Sequence, residues 1–363
     1  MTAIRRIVVL LAYVFLLLGT RASHAGTPVP AVDANGDVLS LAAPPRRILA
    51  IGKAALMPAD ALFLFPEARE HVIALARVDQ GLGNLYSLIM PRLNQNYDWL
   101  HQSGIEEIAR HHPDLVLTKS SNTEAIAIPL RRLGIPSFTL SLETPEEWEA
   151  EVPELGKLLG EEARAAEIVK HFQARRERVA QALLSPAPER IPSVLVLHFS
   201  SYDGATAFSV SPDAWLQTRL VELAGGRPVW KGERFLGTGW SKISFEQVAA
   251  WNPDHIYIVS FKASADSFLR FIRADERWQA LRAVQNDHVK ALPADLIAYA
   301  QPVSRWVLCL QWLAADLHPD RFPGFDMEQE ITRFYRDFYD LNDPAILDTL
   351  LNAYRRSIAG NEM

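Results

Sequence analysis

A helix-forming segment from Glu161 to Leu184, near the middle of the chain, most constrains the fold. Its apolar residues recur at spacings of three and four, which places them on one stripe of an α-helix and leaves the charged residues facing water. Gly160 precedes the segment and a Ser-Pro-Ala-Pro sequence follows it, so both ends carry residues that stop a helix. Such a helix would be roughly 36 Å long, which is enough to connect two domains.

Two similar motifs lie on either side of this segment. The first is GIEEIARHHPDLVL, beginning at Gly104, and the second is SFEQVAAWNPDHIYIV, beginning at Ser244. Each has a glutamate, Glu106 or Glu246, seven residues before a Pro-Asp pair, and each continues into an apolar strand. A short helix, a turn and a buried strand form an αβ unit. One such unit on each side of the long helix predicts two similar lobes.

The first 25 residues have the pattern of an export signal. Arg5 and Arg6 precede an apolar run over residues 7–18, and Ser23-His24-Ala25 is a small-x-small cleavage site. The run is shorter than the roughly 20 residues that span a bilayer. No cysteine follows the cleavage site, so we expect a soluble periplasmic protein without a lipid anchor.

Composition narrows the classes of function. Cys309 is the only cysteine, so no internal disulfide can form and the fold must depend on its core. The net charge is −6, and it becomes −9 when the first 25 residues, with three arginines and no acid, are removed. Nucleic acid is therefore not an expected partner. The GxSxG, Walker and HExxH motifs of common hydrolases do not occur.

Strands alternate with helices in both halves of the chain, which predicts an α/β fold with largely parallel sheets. The series of motifs resembles the periplasmic substrate-binding proteins of ABC importers for iron-siderophores, haem and vitamin B12. The resemblance covers nearly all of the chain after residue 25. It is carried by RRILAIG, GIEEIARHHPDLVL, LRRLGIPSFTL, LGKLLGEEARAAEIVKHF, LVELAGG, SFEQVAAWNPDHIYIV, ERWQALRAVQNDHVKALP and LQWLAADLHPDRF.

The resemblance implies two Rossmann-like lobes joined by one long helix, with a ligand cleft between the lobes. The corresponding division is a signal peptide at 1–25, a first lobe at 26–160, the connecting helix at 161–184, and a second lobe with C-terminal helices at 185–363. A helical connection predicts limited opening of the cleft rather than wide hinge closure.

Ligands of open α/β sheets bind beyond the carboxyl ends of the strands. Polar, cationic and aromatic residues that follow strands are therefore candidate ligand contacts. Cations at these positions suit an anionic chelate, and aromatic rings can stack on a ligand ring. The candidates are Lys53, Arg77, Ser120, Ser121 and Asn122 in the first lobe, and His198, Ser200, Ser201, Tyr202, Trp240, Lys262 and Tyr299 in the second.

The sequence leaves two further roles open. As a neutral imidazole, His198 could be an axial ligand to iron or cobalt, or it could hydrogen-bond a neighbour. In the family that the chain resembles, a glutamate on each lobe docks onto arginines of the membrane permease, and the matching positions are Glu106 and Glu246. Such carboxylates would orient the protein on a basic partner, whereas the alternative is two solvated surface residues.

The resemblance thus implies a monomer without a resident cofactor, which captures a metal-containing ligand and delivers it to an ABC permease dimer. Other functions are an exported hydrolase or chelatase on the same scaffold, a receptor that signals without transport, and a binding protein for a small oxyanion such as molybdate. The identity of the ligand stays open because the first lobe departs from the family in a long loop that contains Asn84, Tyr86 and Tyr97.

Overall fold

The protein is described by a computed structural model. The predicted signal peptide, residues 1–25, lies outside the described part. At residues 200–202 and 205–206 the description covers the backbone alone. The described residues are 29–76, 82–95, 104–184, 190–202, 205–235, 239–261 and 265–362.

A four-stranded parallel sheet forms the first lobe, as the alternation of strands and helices predicts. Nearly every residue of these strands is buried, which fits their continuous apolar sequence, since helices cover both faces of such a sheet. A short antiparallel hairpin, β1 (Ala31–Val32) and β2 (Val38–Leu39), precedes the sheet. The sheet strands are β3 (Ile48–Ile51), β4 (Val72–Leu75), β5 (Leu115–Lys119) and β6 (Ser137–Leu140), in the spatial order β4-β3-β5-β6.

Short helices connect these strands. The helices of the first lobe are α1 (Leu56–Phe63), α2 (Pro66–Arg69), α3 (Leu85–Ile89), α4 (Ile105–Arg110) and α5 (Ile128–Arg132).

Two consecutive helices lead from the first lobe to the second. The first is α6 (Pro145–Leu159), which begins with a complete capping box between Thr144 and Glu147, as its sequence predicts. A proline at position 153 predicts either a kink or two short helices. In the structure Pro153 lies inside α6, which is a single element. The second is α7 (Glu162–Leu184), so the predicted long helix is confirmed to within one residue.

The buried stripe of α7 contacts both halves of the molecule. Phe172 is fully buried and packs against Trp148 of α6, with ring centroids 5.8 Å apart. On the other side Phe172 stacks on Trp306 at 5.3 Å and contacts Phe338 at 4.7 Å, and both of these residues belong to the second lobe. The connecting helix is therefore part of a shared core rather than an isolated linker.

The second lobe contains a mixed sheet, whereas the sequence had suggested a largely parallel one. Parallel strands flank β7, but β8 runs antiparallel to it. The residues between these two strands are Asp-Gly, a hairpin sequence, and this signal was missed. The strands are β7 (Ser193–Tyr202), β8 (Ala205–Val210), β9 (Arg227–Pro228), β10 (Ser241–Ile243), β11 (His255–Val259) and β12 (Val289–Ala291), in the order β10-β8-β7-β11-β12 with β9 beside the start of β7.

Helices again cover this sheet, and three of them end the chain. Asp326 and Asp343 are the N-caps of the last two helices, since each side chain accepts hydrogen bonds from two backbone amides. In the described ranges no helix is both long enough and apolar enough to cross a membrane. The helices of this lobe are α8 (Leu216–Leu223), α9 (Phe245–Trp251), α10 (Asp266–Ala274), α11 (Arg282–Gln285), α12 (Trp306–Leu317), α13 (Met327–Tyr339) and α14 (Pro344–Ile358).

The internal repeat is visible in the structure. Helix α4 and strand β5 in the first lobe correspond to α9 and β11 in the second, at an offset of 140 residues. Even the residue before each Pro-Asp pair agrees, because His112 and Asn252 both adopt left-handed backbone conformations, with φ of 44° and 39°. The two αβ units are therefore copies of one local structure.

Candidate functional site

The carboxyl end of β3 presents an exposed lysine on a constrained turn. Gly52 has φ of +95°, and a Cβ at this position would lie 2.9 Å from side-chain atoms of Thr118 and Asn122, so only glycine fits. Asn122 donates a hydrogen bond to the carbonyl oxygen of Lys53 at 2.8 Å and another to Thr118 at 3.1 Å. Asn122 thus braces the turn, while the Lys53 side chain is exposed and forms no ion pair within the described residues.

The carboxyl end of β5 lies beside this turn. Ser121 is exposed and Ser120 is half-buried, so their hydroxyls lie at or near the surface. The last residue of the strand, Lys119, is buried and pairs with Glu143 at 2.7 Å. That cation is already neutralised. Among the described residues at this end of the first lobe, the unpaired positive charge is therefore the ammonium group of Lys53.

An aromatic cluster occupies the corresponding end of the second lobe. The His198 ring lies 4.8 Å from the Trp240 ring and is stacked on Phe261 at 5.0 Å between centroids. Trp215, which caps α8, contacts Trp240 edge to face at 6.1 Å. All four side chains are only partly buried. We call His198, Trp215, Trp240 and Phe261 the aromatic cluster.

The aromatic cluster lies at the end of the sheet where ligands of this fold class bind. His198 pairs with Val259, the last residue of β11, and Phe261 follows two residues later. Two of the predicted contacts, His198 and Trp240, are thus brought together. Phe261 and Trp215 were not predicted. Phe261 could have been, because it follows a strand just as its predicted neighbour Lys262 does.

The other predicted contacts have different surroundings. Tyr299 is fully buried, and burial raises the pKa of its phenol well above the ordinary value, with the Asp295 charge acting in the same direction. In this structure the Tyr299 side chain is therefore buried in the protein and not exposed at its surface. Ser200, Ser201 and Tyr202 belong to β7 and pair with β8 through their backbones. Arg77 and Lys262 lie outside the described residues.

A cavity of about 480 Å³ lies beside the carboxyl ends of β11 and β12. Leu82 of the first lobe forms one side of it, and residues of the second lobe form the others. Close to it, the backbone of Gly83 leaves no room for a Cβ, which would lie 2.7 Å from the side chain of Leu296. The second-lobe lining is Ser260, Ala265, Asp266, Leu292, Ala294, Asp295, Ala353, Arg356, Ser357 and Ala359.

The two predicted docking glutamates occupy equivalent positions. Glu106 lies in the first turn of α4 and Glu246 in the first turn of α9, and both side chains are exposed. Hydrogen bonds from the Glu246 backbone amide and the Ser244 hydroxyl lower the pKa of Glu246, and the nearby Arg277 charge adds to this effect. The Glu246 carboxylate is therefore fully charged at neutral pH.

Two α/β lobes are joined by one connecting helix. The first lobe carries a lysine at a strand end, and the second carries an aromatic cluster at a strand end. This arrangement defines a class of ligand-binding protein. The chain belongs to the periplasmic binding protein family, whose model matches residues 96–296. Proteins of this family bind small molecules outside the cytoplasmic membrane.

Individual relatives are distant in sequence and similar in fold. The molybdate-binding protein MolA of Haemophilus influenzae is 23% identical over 296 residues, which cover 75% of this chain and 80% of MolA. A periplasmic solute binding protein from Veillonella parvula superposes with a TM-score of 0.72 at 21% identity and covers 93% of this chain and 99% of its own. CeuE from Helicobacter pylori, solved with Ni(II) bound, superposes with a TM-score of 0.66 at 19% identity. The match covers 88% of this chain and 98% of CeuE.

Proposed function

We propose that this protein captures a small anionic metal chelate between its two lobes in the periplasm and delivers it to an ABC import permease. Membership of the periplasmic binding protein family supports ligand capture rather than catalysis. The observation that carries the choice of ligand is the aromatic cluster, because partly exposed aromatic rings at a strand end need an apolar or ring-containing ligand to cover them.

The rings of the aromatic cluster remain partly exposed although they contact one another. Trp240 contacts His198, Phe261 and Trp215 and nevertheless remains partly exposed. An organic chelator offers flat or apolar groups that can pack on such a surface. A bare oxyanion offers only oxygen atoms, which favour backbone amides and cationic groups.

The first lobe supplies the complementary charge. Lys53 is exposed at the end of β3, with the hydroxyls of Ser120 and Ser121 on the neighbouring strand end. An ammonium group beside hydroxyl groups suits carboxylate, catecholate or hydroxamate oxygens of a chelate. Arg77 and Lys262, as predicted from their positions after strands, would add to this charge.

A small oxyanion is the second candidate. It is favoured by the sequence similarity to molybdate-binding MolA over 75% of this chain. In that case Lys53 and the serine hydroxyls would bind the ligand, and the aromatic cluster would only pack against the protein.

Delivery would use the two exposed glutamates. Glu106 and Glu246 lie on equivalent helices of the two repeat units and would contact basic residues of a permease dimer, with the protein bound as a monomer. Export through the signal at residues 1–25, without a lipid anchor, would bring the protein to that membrane. Reversal of both charges, Glu106→Lys with Glu246→Lys, should abolish uptake and leave ligand affinity unchanged. Normal uptake by the double variant would exclude this docking role.

The choice of ligand can be tested by titration. Purified protein is titrated with ferric catecholate and hydroxamate complexes, haemin and molybdate, while tryptophan fluorescence and calorimetric heat are recorded. Trp240→Ala should weaken chelate binding by about 10-fold or more, since stacking on one aromatic ring contributes about 1–2 kcal/mol. The matched control is Trp251→Phe, because Trp251 is also half-buried but lies at the far end of α9 and donates to Glu233. Tight molybdate binding that is unaffected by Trp240→Ala would establish the second candidate instead.

A further inference from the structure

A fully buried ion pair joins the two lobes. The guanidinium of Arg305 lies between two carboxylates, with Nη1 2.8 Å from Asp60 and Nε 3.3 Å from Asp295. All three side chains have no solvent exposure. Tyr335 and Tyr339 complete the cluster, since Tyr339 donates its hydroxyl hydrogen to Asp60 at 2.5 Å and Tyr335 donates to Asp295.

The two lobes share the stabilisation of Asp60. This residue belongs to α1 of the first lobe, but three of its four donors come from the second lobe. These are the backbone amide of Ser304 at 2.7 Å, Arg305 and Tyr339, while Tyr86 of the first lobe donates at 3.0 Å. Separation of the lobes at this point would leave a buried carboxylate without most of its hydrogen bonds, which is strongly unfavourable.

The buried ion pair belongs to elements that continue into both sides of the proposed cleft. On the first lobe, α1 begins three residues after Lys53, and Asp60 is little more than one turn into that helix. On the second lobe, Asp295 itself lines the 480 Å³ cavity and belongs to the loop that leads to Arg305. The Asp60–Arg305 contact therefore connects the helix that follows the lysine-bearing turn to the loop that lines the cavity.

A second interlobe ion pair provides a contrast. Arg219 of α8 donates to Glu146 of α6 at 3.2 Å, but the side chains are 36% and 51% exposed. Water screens such a pair, and either side chain can leave it at little cost. It connects the same two halves of the chain without holding them at a fixed spacing.

We propose that Asp60 and Arg305 are positioning residues for ligand capture, which hold the two cleft faces at one spacing so that a bound ligand contacts both at once. This inference rests on the proposed function. A ligand that contacts one face only would dissociate faster, because half of its contacts are lost, while its encounter with the open protein would be little changed.

The test combines a distance measurement with binding kinetics. Spin labels are placed at two exposed positions, Arg132→Cys in the first lobe and Glu276→Cys in the second, and the interlobe distance distribution is recorded by double electron–electron resonance. The binding probe is whichever of a ferric catecholate, a ferric hydroxamate, haemin or molybdate the wild-type protein binds. The variants are Asp60→Asn, Tyr339→Phe and the control Glu146→Gln. Tyr339→Phe removes one of the four donors to Asp60 and, with it, one acceptor of Arg305.

We expect a single narrow distance distribution for the wild type and for Glu146→Gln. Asp60→Asn should broaden it and increase the dissociation rate of the probe at least 10-fold, with the association rate changed less than 2-fold. Tyr339→Phe should give a smaller change of the same kind, about 2- to 5-fold in the dissociation rate, and it serves as the test if Asp60→Asn does not fold. Unchanged distances and dissociation rates in folded variants would overturn the inference. If the wild type binds none of the probes, the proposed function fails, and the distance distributions still decide whether the pair holds the lobes.

Discussion

Each repeat unit has an aspartate at the equivalent position, Asp114 or Asp254. The two aspartates make the same kind of backbone contact but have different neighbours. In the first lobe, Asp114 accepts the backbone amides of Arg46 and Arg47, just before β3, at 2.7 and 2.8 Å. In the second lobe, Asp254 accepts the backbone amide and the hydroxyl of Ser193 at the start of β7. In both lobes the aspartate joins the beginning of one strand to the beginning of its neighbour.

The difference lies in the charged partners. Asp254 also binds Arg190 and Arg282, at 2.8 and 2.7 Å, and is more deeply buried than Asp114. Burial acts to raise the pKa of Asp254, but the hydrogen bonds from Ser193 and Arg282 and the charge of Arg190 outweigh it, so the pKa lies well below the ordinary value. The same scaffold is thus held by two hydrogen bonds in one lobe and by a charged network in the other.

The largest expected effect is the loss of the second-lobe aspartate. Asp254→Ala should lower the free energy of unfolding by about 2–4 kcal/mol, because buried donors and two arginines lose their acceptor. Asp114→Ala should cost about 1 kcal/mol, since its two amides can reach water. Because the folded pKa is depressed, the contribution of Asp254 is present above about pH 4 and is lost as the pH falls below it. Chemical denaturation at pH 7 and pH 3 measures both effects, and equal losses for the two variants would refute the comparison.

A smaller effect on stability is expected from substitution of the residue that follows the second-lobe aspartate. His255 corresponds to Leu115 and stacks on His288, with ring centroids 4.2 Å apart and planes 2° from parallel. Burial, followed by the His288 charge, lowers the pKa of His255 to about 4, although Asp316 and Asp254 act against this. The unfolded chain therefore binds a proton between about pH 6.5 and pH 4 that the folded protein does not, and stability falls as the pH falls through this range.

His255→Leu restores the residue of the first lobe and should remove this pH dependence. The difference in unfolding free energy between pH 7 and pH 4.5 should shrink by about 1–2 kcal/mol, less than the full shift implies because the imidazole is partly open to solvent. His71→Leu is a matched control, since this histidine contacts Arg46 at the surface of the first lobe. An unchanged pH profile for His255→Leu would show that the stacked pair does not control acid stability.

The smallest effect concerns the left-handed residues before each Pro-Asp pair. Glycine adopts this conformation without strain, so His112→Gly should raise stability by about 0.5–1 kcal/mol. Asn252→Gly should give no gain, because the Asn252 side chain accepts the backbone amide of Arg282 at 2.9 Å and this bond would be lost. Thermal melts of the two variants measure the difference, and a gain at Asn252 equal to that at His112 would contradict it.

Much of the fold was predictable because local signals agreed with the final structure. The helix over 162–184, the capping box at Thr144, the caps at Asp326 and Asp343 and the two αβ units all follow from spacing and capping residues. The antiparallel β8 was missed because the Asp-Gly sequence after Tyr202 was not recognised as a hairpin signal. The internal proline of α6 left a kink or two short helices open, and the second of these is wrong because α6 is one continuous element.

The candidate site was less predictable, because position after a strand does not determine where a side chain points. Asn122 follows β5 as predicted, but its amide is used to brace the Lys53 turn. Tyr299 lies in a loop that is buried almost throughout. The Asp60–Arg305 pair could not be found from the sequence at all, since its members are 245 residues apart and neither belongs to a motif.

The central claim is that a metal chelate is bound beside the aromatic cluster, and native mass spectrometry tests it most directly. Wild-type protein and Trp240→Ala are purified from periplasm, measured as isolated, and measured again after incubation with the ferric chelates, haemin and molybdate. We predict a one-to-one, metal-containing adduct with the wild type, accompanied by a visible absorption band, and a much weaker adduct with Trp240→Ala. Absence of any chelate adduct from the wild type, or equal adducts with both proteins, would contradict the account.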